Sequence, residues 1–254
     1  MAYQRGYPIV SENGTYVRYC DTSGAELWIQ LNASNEFIGM NPHFFGKSRR
    51  RAALIQKIEK EHVDLDGAFL AWALEDDKDF KDKKGLFPFV FDLPDFDTII
   101  DLTLPKIFEL QLVGFAMNFD CFDNSEIYYQ FIGEKEYHFS DKAFIPVGII
   151  QDNSLRNDLN TNAVGLLSGE ILELLESKNE LTNEKYYWLL VDTLGGEIDI
   201  LVNKKYITNT PTVGNIILAQ CWLSGRIVNA PLKFEKGGIL PKMMGDEVIK
   251  ISDV

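Results

Sequence analysis

The stretch YYWLLVDTLGGEIDILVN, residues 186–203, constrains the fold of this chain more than any other. Its second part alternates apolar and polar side chains, with Ile198, Ile200 and Val202 on one face and Glu197, Asp199 and Asn203 on the other. A period of two is typical of a β-strand that buries one face. The TLGGE segment between the two runs predicts a tight hairpin turn, because glycine readily adopts positive φ.

Similar strand signals occur along most of the chain. Residues 26–31 and 36–40 flank the turn-rich NASN and predict a hairpin, while 51–58, 67–74 and 106–119 predict further strands, the last of them central. Residues 125–132 predict a short helix that begins near Ser125. Aromatic residues make up 12% of the chain, which also favours strands. The fold class expected is mostly β, a β-rich α+β protein.

Three less regular segments suggest how the chain is divided. Residues 75–85 carry five acids and four lysines, which predicts a solvated loop. Residues 86–96 are apolar but contain two prolines, which predicts a sheet edge or an irregular crossing. Residues 151–162 are rich in Asn and Asp and predict a linker. The division expected is a β-rich unit at 1–150, the linker, a barrel at 163–228 and a tail at 229–254.

The segment from 163 to 228 resembles an OB-fold, a small five-stranded Greek-key barrel. GLLSGEI would be the first curved strand, YYWLLVDTLGGEIDILV the second and third, and the stretch after Val213-Gly214 the fourth. OB-folds often bind single-stranded nucleic acid through stacked aromatics and a basic groove. The resemblance therefore implies possible stacking by Tyr187, Trp188 and Trp222. These rings are also large enough to serve only as packing in a core or between domains.

The charge pattern does not favour a nucleic-acid surface in the barrel. The chain has a formal net charge of −13, and residues 61–200 hold twenty-nine acids against ten Lys and Arg. Such a field repels phosphate. Against this background the basic cluster Lys47, Arg49, Arg50 and Arg51 stands out. It could bind an external anion or partner, or it could pair with the acidic segment in the same chain or across a dimer.

No motif of a known catalytic, metal or nucleotide site occurs in the sequence. His43, His62 and His138 are isolated, and Cys20, Cys121 and Cys221 lie far apart, which predicts neither a zinc site nor disulfides. The acids Asp92, Asp95, Asp97 and Asp101 recur closely, but such runs are usually solvated. The sequence thus predicts no catalytic residue, metal or cofactor.

The same sequence leaves three function classes open. It contains no apolar run long enough for a membrane span and no secretory signal at its N-terminus, so a cytoplasmic location is expected. The favoured hypothesis is a non-catalytic binding or assembly protein with protein partners or self-association. The alternatives are a protein that binds single-stranded nucleic acid through the barrel and the basic cluster, and a hydrolase-like enzyme whose carboxylates converge only in three dimensions.

Overall fold

The computed structural model of the chain describes residues 2–60, 65–82, 84–99, 102–133, 139–150 and 162–228. Its strands are β1 Tyr7–Val10, β2 Gly14–Cys20, β3 Ala25–Asn32, β4 Phe37–Phe44, β5 Arg50–Glu59, β6 Gly67–Leu74, β7 Pro88–Asp92, β8 Lys106–Phe122, β9 Ala143–Ile145, β10 Val164–Lys178, β11 Lys185–Thr193, β12 Gly196–Asn203 and β13 Ile216–Val228. Its helices are α1 Ala2–Arg5, α2 Asp77–Lys81, α3 Ser125–Gly133 and α4 Val147–Ile150. The expectation of a mostly β protein is confirmed.

The first four strands form a small antiparallel sheet, called sheet A below, in the order β1-β2-β3-β4. The hairpin predicted from residues 26–31 and 36–40 is confirmed, since β3 pairs with β4 from Ala25–Phe44 to Leu31–Phe37. Asn35 adopts the left-handed conformation in the connecting turn, with φ of 61°. Asparagine is one of the few residues other than glycine that accept this conformation.

The remaining strands of the described residues form sheet B, whose pairings close two rings. In the first ring β10, β11, β12, β8 and β13 pair in succession, and β13 returns to β10. In the second ring β8, β5, β6, β7 and β13 pair in succession, with a single pair joining β7 to β13. The two rings therefore share the β8–β13 ladder.

This shared ladder is the central element of sheet B. It runs from Phe122–Ile216 to Glu109–Val228 and is interrupted once, by a bulge between Gln220 and Cys221. The expectation that residues 106–119 form a central strand is confirmed, because β8 has β5, β12 and β13 as neighbours. A strand covered on both faces needs a nearly continuous apolar run, and this stretch supplies one.

Apolar side chains fill the interior of both rings and form one continuous core. The buried face predicted for β12, carried by Ile198, Ile200 and Val202, belongs to the same cluster as Phe89 and Phe91 of β7. Where β9 approaches β7, the rings of Phe87 and Phe144 stack with centroids 4.7 Å apart. Packing of this kind couples the two rings energetically.

The ring that contains β10 to β13 is not confined to residues 163–228. That segment contributes four of its strands, and the place between β12 and β13 is taken by β8, which precedes the expected linker in sequence. The ring thus includes one strand from outside the bounds 163–228 that were expected for the barrel. Of the expected linker only Asn162 lies among the described residues, and the expected tail at 229–254 lies outside them.

Two irregular segments are more ordered than their composition suggests. The stretch 75–85, expected to be a loop, contains α2, whose N-terminus has a capping box formed by Asp76 and Asp79. Reciprocal capping satisfies backbone donors that a short helix otherwise leaves unpaired. The stretch 86–96, expected at an edge or in a crossing, contains β7, which pairs with β6 along its length. Pro88 is tolerated because it is the first residue of the strand.

Candidate functional site

The basic stretch that begins at residue 47 is anchored by a buried carboxylate. Asp199 of β12 has 0% exposure. Its carboxylate accepts hydrogen bonds from the backbone N–H groups of Lys47 (2.9 Å) and Ser48 (3.0 Å), from Gln111 Nε2 (3.0 Å) and from Trp188 Nε1 (2.8 Å). Four donors offset the cost of removing a charge from water. The sequence pattern placed Asp199 on the polar face of its strand, and this expectation is corrected to burial.

Gly46 explains why the backbone can approach this carboxylate so closely. A Cβ at residue 46 would lie 2.2 Å from the carboxylate of Asp199, closer than any side chain permits. The glycine of the FGKS sequence therefore allows the chain to close over β12. In the sequence this contact is indicated only by a glycine that directly precedes the basic stretch.

Arg50 is a structural member of the basic cluster. It is 2% exposed and lies over the rings of Phe144 and Phe89, with its guanidinium carbon 5.2 and 5.9 Å from their centroids. Burial lowers the pKa of Arg50 to about 9, so the side chain stays charged at neutral pH. Cation–π contact and hydrogen bonds take the place of a carboxylate partner.

The hydrogen bonds of Arg50 hold the hairpin turn between β11 and β12. Nη2 donates to Thr193 Oγ1 (2.8 Å) and to the carbonyl of Gly196 (2.8 Å), and Nε donates to the carbonyl of Glu197 (3.2 Å). Gly195 and Gly196 both have positive φ, as the TLGGE sequence predicted. Arg50 thereby fastens the tip of this hairpin to β5, where the two rings meet.

The other three cations of the cluster are partly exposed and contact acids of the chain itself. The pairs are Lys47 with Glu173 (2.6 Å), Arg49 with Glu109 (4.0 Å) and Arg51 with Asp77 (2.6 Å). All three acids belong to the acidic segment 61–200. These contacts leave less free positive charge for an external anion than the sequence suggested.

The three aromatic residues expected to stack on bases lie in different surroundings. Tyr187 is buried and its hydroxyl donates to Glu176 (3.1 Å). Trp188 is buried and stacks on Phe44 with centroids 6.4 Å apart. Trp222 is half-buried, stacks on Phe115 at 5.1 Å and donates through Nε1 to Asp92 (2.6 Å). Tyr187 lies on the opposite side of β11 from Trp188, whereas the pairings Trp188–Leu201, Leu201–Phe115 and Phe115–Trp222 place the two tryptophans in one row on the same side of the sheet.

A buried cluster of charged side chains, which sequence reasoning missed, lies beneath sheet A. Glu26 of β3 has no exposed side-chain surface and contacts Arg18 and Arg226 (2.7 Å). Its carboxylate also accepts a hydrogen bond from Trp28 Nε1 (2.9 Å). Burial acts to raise the pKa of Glu26, but Arg226 and Arg18 outweigh it and hold the pKa well below its usual range. The carboxylate is therefore ionised and doubly paired.

His43 lies at the edge of this cluster. It is buried, and its Nδ1 lies 2.8 Å from Ser224 Oγ. Burial, followed by the charge of Arg226, lowers the pKa of His43 to about 3, so the imidazole is neutral at pH 7. A serine, a histidine and a glutamate in proximity resemble hydrolase machinery, but a nucleophile must reach its substrate. Both Ser224 and His43 are 1% exposed.

Among the described aspartates of the recurrent run, Asp92 and Asp97 have different partners. Asp92 pairs with Lys60 (3.1 Å), which also pairs with Asp66 (3.1 Å), and burial raises the pKa of Asp92. Asp97 instead accepts hydrogen bonds from Asn13. Asp101, His62 and His138 lie outside the described residues. In the described ranges no group of three or more His, Cys, Asp or Glu side chains is arranged to hold a metal ion.

Sheet A presents an apolar surface on the side opposite the charged cluster. The pairings align two neighbouring rows on this side, Pro8-Val17-Ile29-Met40 and Val10-Thr15-Leu31-Phe37. Val10 of β1 and Phe37 and Met40 of β4 are 65%, 63% and 58% exposed, whereas Val17, Ile29 and Leu31, which lie between them on β2 and β3, are buried. Paired residues share one side of a sheet, as do residues two apart on a regular strand. Phe37 and Met40 are three apart, but a bulge in β4 between their pairings with Leu31 and Ile29 places both on this side. The rows therefore form one face, called the outer face of sheet A below.

Comparison with known proteins gives one partial match. Residues 124–225 match the model of a family described as "Domain of unknown function, E. rectale Gene description (DUF3881)". The match begins at α3 and ends within β13, so it omits sheet A and β5 to β8. No helix within the described ranges is long and apolar enough to span a membrane. No curated protein and no solved structure matches the chain.

Proposed function

We propose that this is a non-catalytic binding or assembly protein, and that it associates with a second copy of itself through the outer face of sheet A. The observation that carries the proposal is the exposure of Val10, Phe37 and Met40 on two aligned apolar rows. Phe37 and Met40 lie together on β4 and Val10 lies at the other edge of the same face, and exposed apolar side chains grouped on one face often mark a protein contact. Burying a side chain such as Phe37 contributes roughly 2 kcal/mol.

Electrostatics does not prevent a second copy from binding at the outer face of sheet A. Two copies of a chain with net charge −13 repel each other over most of their surface. The two rows of the outer face contain no charged residue, so a twofold contact there sets no like charges against each other. The contact would be made by side chains, because the edge strands β1 and β4 carry Pro8 and Pro42, which lack the N–H that strand addition requires.

Sedimentation velocity over a concentration series tests the proposal. We expect the average mass of the wild type to rise with concentration, and the double variant Phe37→Ser/Met40→Ser to remain monomeric. The matched control is Ile127→Ser/Leu172→Ser, which removes exposed apolar side chains from α3 and β10. A monomeric wild type at every concentration, or equal loss in the control, would overturn the self-association.

The nucleic-acid alternative is decided by fluorescence anisotropy with a labelled single-stranded oligonucleotide. Binding that weakens steeply with salt and disappears when Arg49, Arg50 and Arg51 are replaced by alanine would favour that alternative over assembly. Because Arg50 is buried, an Arg49→Ala/Arg51→Ala variant must lose binding as well if the effect reflects surface charge.

We further infer that the ring of β10, β11, β12, β8 and β13 is an OB-like barrel with β8 as its fifth strand. The support is the closed succession of five paired strands and the way β10 is shared, its first part pairing with β13 and its second with β11. The cytoplasm is the compartment we infer, because Cys20, Cys121 and Cys221 are free thiols. Alkylation of the native protein purified under non-reducing conditions, read by mass spectrometry, would contradict this if any disulfide were found.

A further inference from the structure

An apolar groove lies on the outside of the second ring. It has a volume of about 410 Å³ and lies between β5, β6, β7 and the segment that contains α2. The lining residues are Ile55, Leu70, Ala71, Trp72, Leu74, Phe80, Gly85 and Pro88. The volume falls within the range of roughly 300 to 1,000 Å³ that is typical of small-molecule sites.

One wall of the groove is built by an otherwise polar segment. Phe80 of α2 is the one apolar residue between positions 75 and 84, and it lines the groove. The ion pair between Arg51 and Asp77 connects α2 to β5. At the C-terminal end of this segment Gly85 packs against the indole of Trp72. A Cβ added to Gly85 would lie 3.1 Å from Cδ1 of Trp72. The segment thus covers part of the β-sheet surface and makes it concave.

The chemistry of the lining restricts what can bind. None of the eight lining residues carries a titratable or charged side chain. Arg51 and Asp77, which connect α2 to the strand beside the groove, satisfy each other in a bidentate pair. A charged group placed against this lining would lose its hydration without gaining a partner, which is costly.

We propose that this groove binds an uncharged, largely apolar small molecule. The site is independent of the outer face of sheet A, since none of its lining residues belongs to β1 to β4. It adds ligand binding to the assembly function proposed above, and either can fail without the other.

The test is titration of the full chain with N-phenyl-1-naphthylamine, an uncharged probe whose fluorescence rises in apolar surroundings. We expect saturable binding of one probe per chain. Leu70→Asp and Ile55→Asp each place a carboxylate in the groove, and each should raise Kd at least tenfold. Leu172→Asp is the matched control, because Leu172 is a similarly exposed apolar residue on β10, outside the groove, and its Kd should stay within twofold of the wild type.

Several results would overturn the proposal. Absence of saturable binding to the wild type would do so, as would groove variants that bind like the wild type. If Phe37→Ser/Met40→Ser removed the binding instead, the probe would occupy the outer face of sheet A. Because Leu70 is half-buried, circular dichroism and the melting temperature must show that its variant is folded. Ile55 is exposed, so its variant decides the question if Leu70→Asp does not fold.

Discussion

At the scale of single residues, a few charged groups of this protein are buried at positions where the sequence predicts no burial. Asp199, Arg50 and Glu26 are all nearly inaccessible, and each has several hydrogen-bond partners. The carboxylate of Asp199 has four donors, whereas Nη1 of Arg50 is buried without a hydrogen-bond partner among the described residues. Removal of a partner from a buried ion is costly. These positions should therefore be the most sensitive to conservative substitution.

Replacement of Asp199 by asparagine should destabilise the protein by about 3 kcal/mol. Each carboxylate oxygen accepts two hydrogen bonds, so the amide group of an asparagine would face two donors in either orientation. Urea unfolding of Asp199→Asn measures the change, and Asp120→Asn, at an exposed position of β8, serves as the control. A loss below about 0.5 kcal/mol, the usual range of surface substitutions, would contradict the role assigned to Asp199.

His43 should make the stability of the protein depend on pH. Its folded-state pKa of about 3 is below the ordinary value of 6.5, so between these values the unfolded chain binds a proton that the folded chain does not. Stability due to His43 is therefore complete above pH 6.5 and is lost as pH falls, by about 1.4 kcal/mol per pH unit. Burial and the charges of Arg226 and Arg18 lower the pKa of the imidazole, whereas the charge of Glu26 acts in the opposite direction.

The corresponding measurement compares unfolding free energies of the wild type and His43→Gln from pH 7.5 to pH 5. Over this interval most exposed carboxylates stay ionised and cancel in the comparison. The stability advantage of the wild type over the variant should shrink by about 2 kcal/mol between pH 6.5 and pH 5. A difference that does not change with pH would mean that His43 titrates alike in both states.

At the scale of elements, the hairpin of β11 and β12 depends on a residue outside it. Arg50 of β5 binds its turn, and Asp199 of β12 binds the segment that leads into β5. In one contact a side chain of β5 binds the hairpin, and in the other a side chain of the hairpin binds the segment before β5. The hairpin and the basic stretch therefore hold each other in place.

Substitutions of Arg50 and Arg51 compare the contribution of a buried arginine to stability with that of an exposed one. Arg50→Met should cost about 3 kcal/mol, because it leaves the carbonyls of Gly196 and Glu197 without this donor. Arg51→Met should cost less than about 1 kcal/mol, because its pair with Asp77 is exposed. Hydrogen exchange adds a local readout, and amides of the turn at 193–197 should exchange faster in Arg50→Met only. Equal effects in both variants would refute the distinction.

At the scale of the whole molecule, the shared β8–β13 ladder decides how the protein unfolds. Each of these strands belongs to both rings, and one core runs through both. The rings cannot separate without breaking this ladder. The division of the chain at residues 151–162, expected from composition, would by contrast allow two independent transitions.

Urea unfolding with several probes distinguishes these possibilities. We expect a single transition whose midpoint is the same by far-UV circular dichroism, by tryptophan fluorescence of the wild type and by fluorescence of a Trp72→Phe variant. Trp72 lies on β6 in the second ring, whereas Trp188 lies on β11 in the first. Two separated transitions would support the division at the expected linker.

The sequence by itself determined the local structure of this protein. Period-two alternation, the glycine turn at 195–196 and the long apolar run of β8 each depend on residues close in the chain, and these elements form as predicted. The dense charge of residues 75–85 predicted a loop, and the capping of α2 by Asp76 and Asp79 was not taken into account in that prediction. Local physics therefore predicted most of the elements.

The tertiary structure alone decided which strands meet and what the charged residues do. β8 ends at Phe122 and joins a ring whose other members begin at Val164 or later, and no local pattern encodes that pairing. The same holds for Asp199, which alternation assigns to the polar face of its strand until residues 46–48 close over it. Burial of a charge depends on donors brought from distant segments, and composition cannot show whether those donors are present.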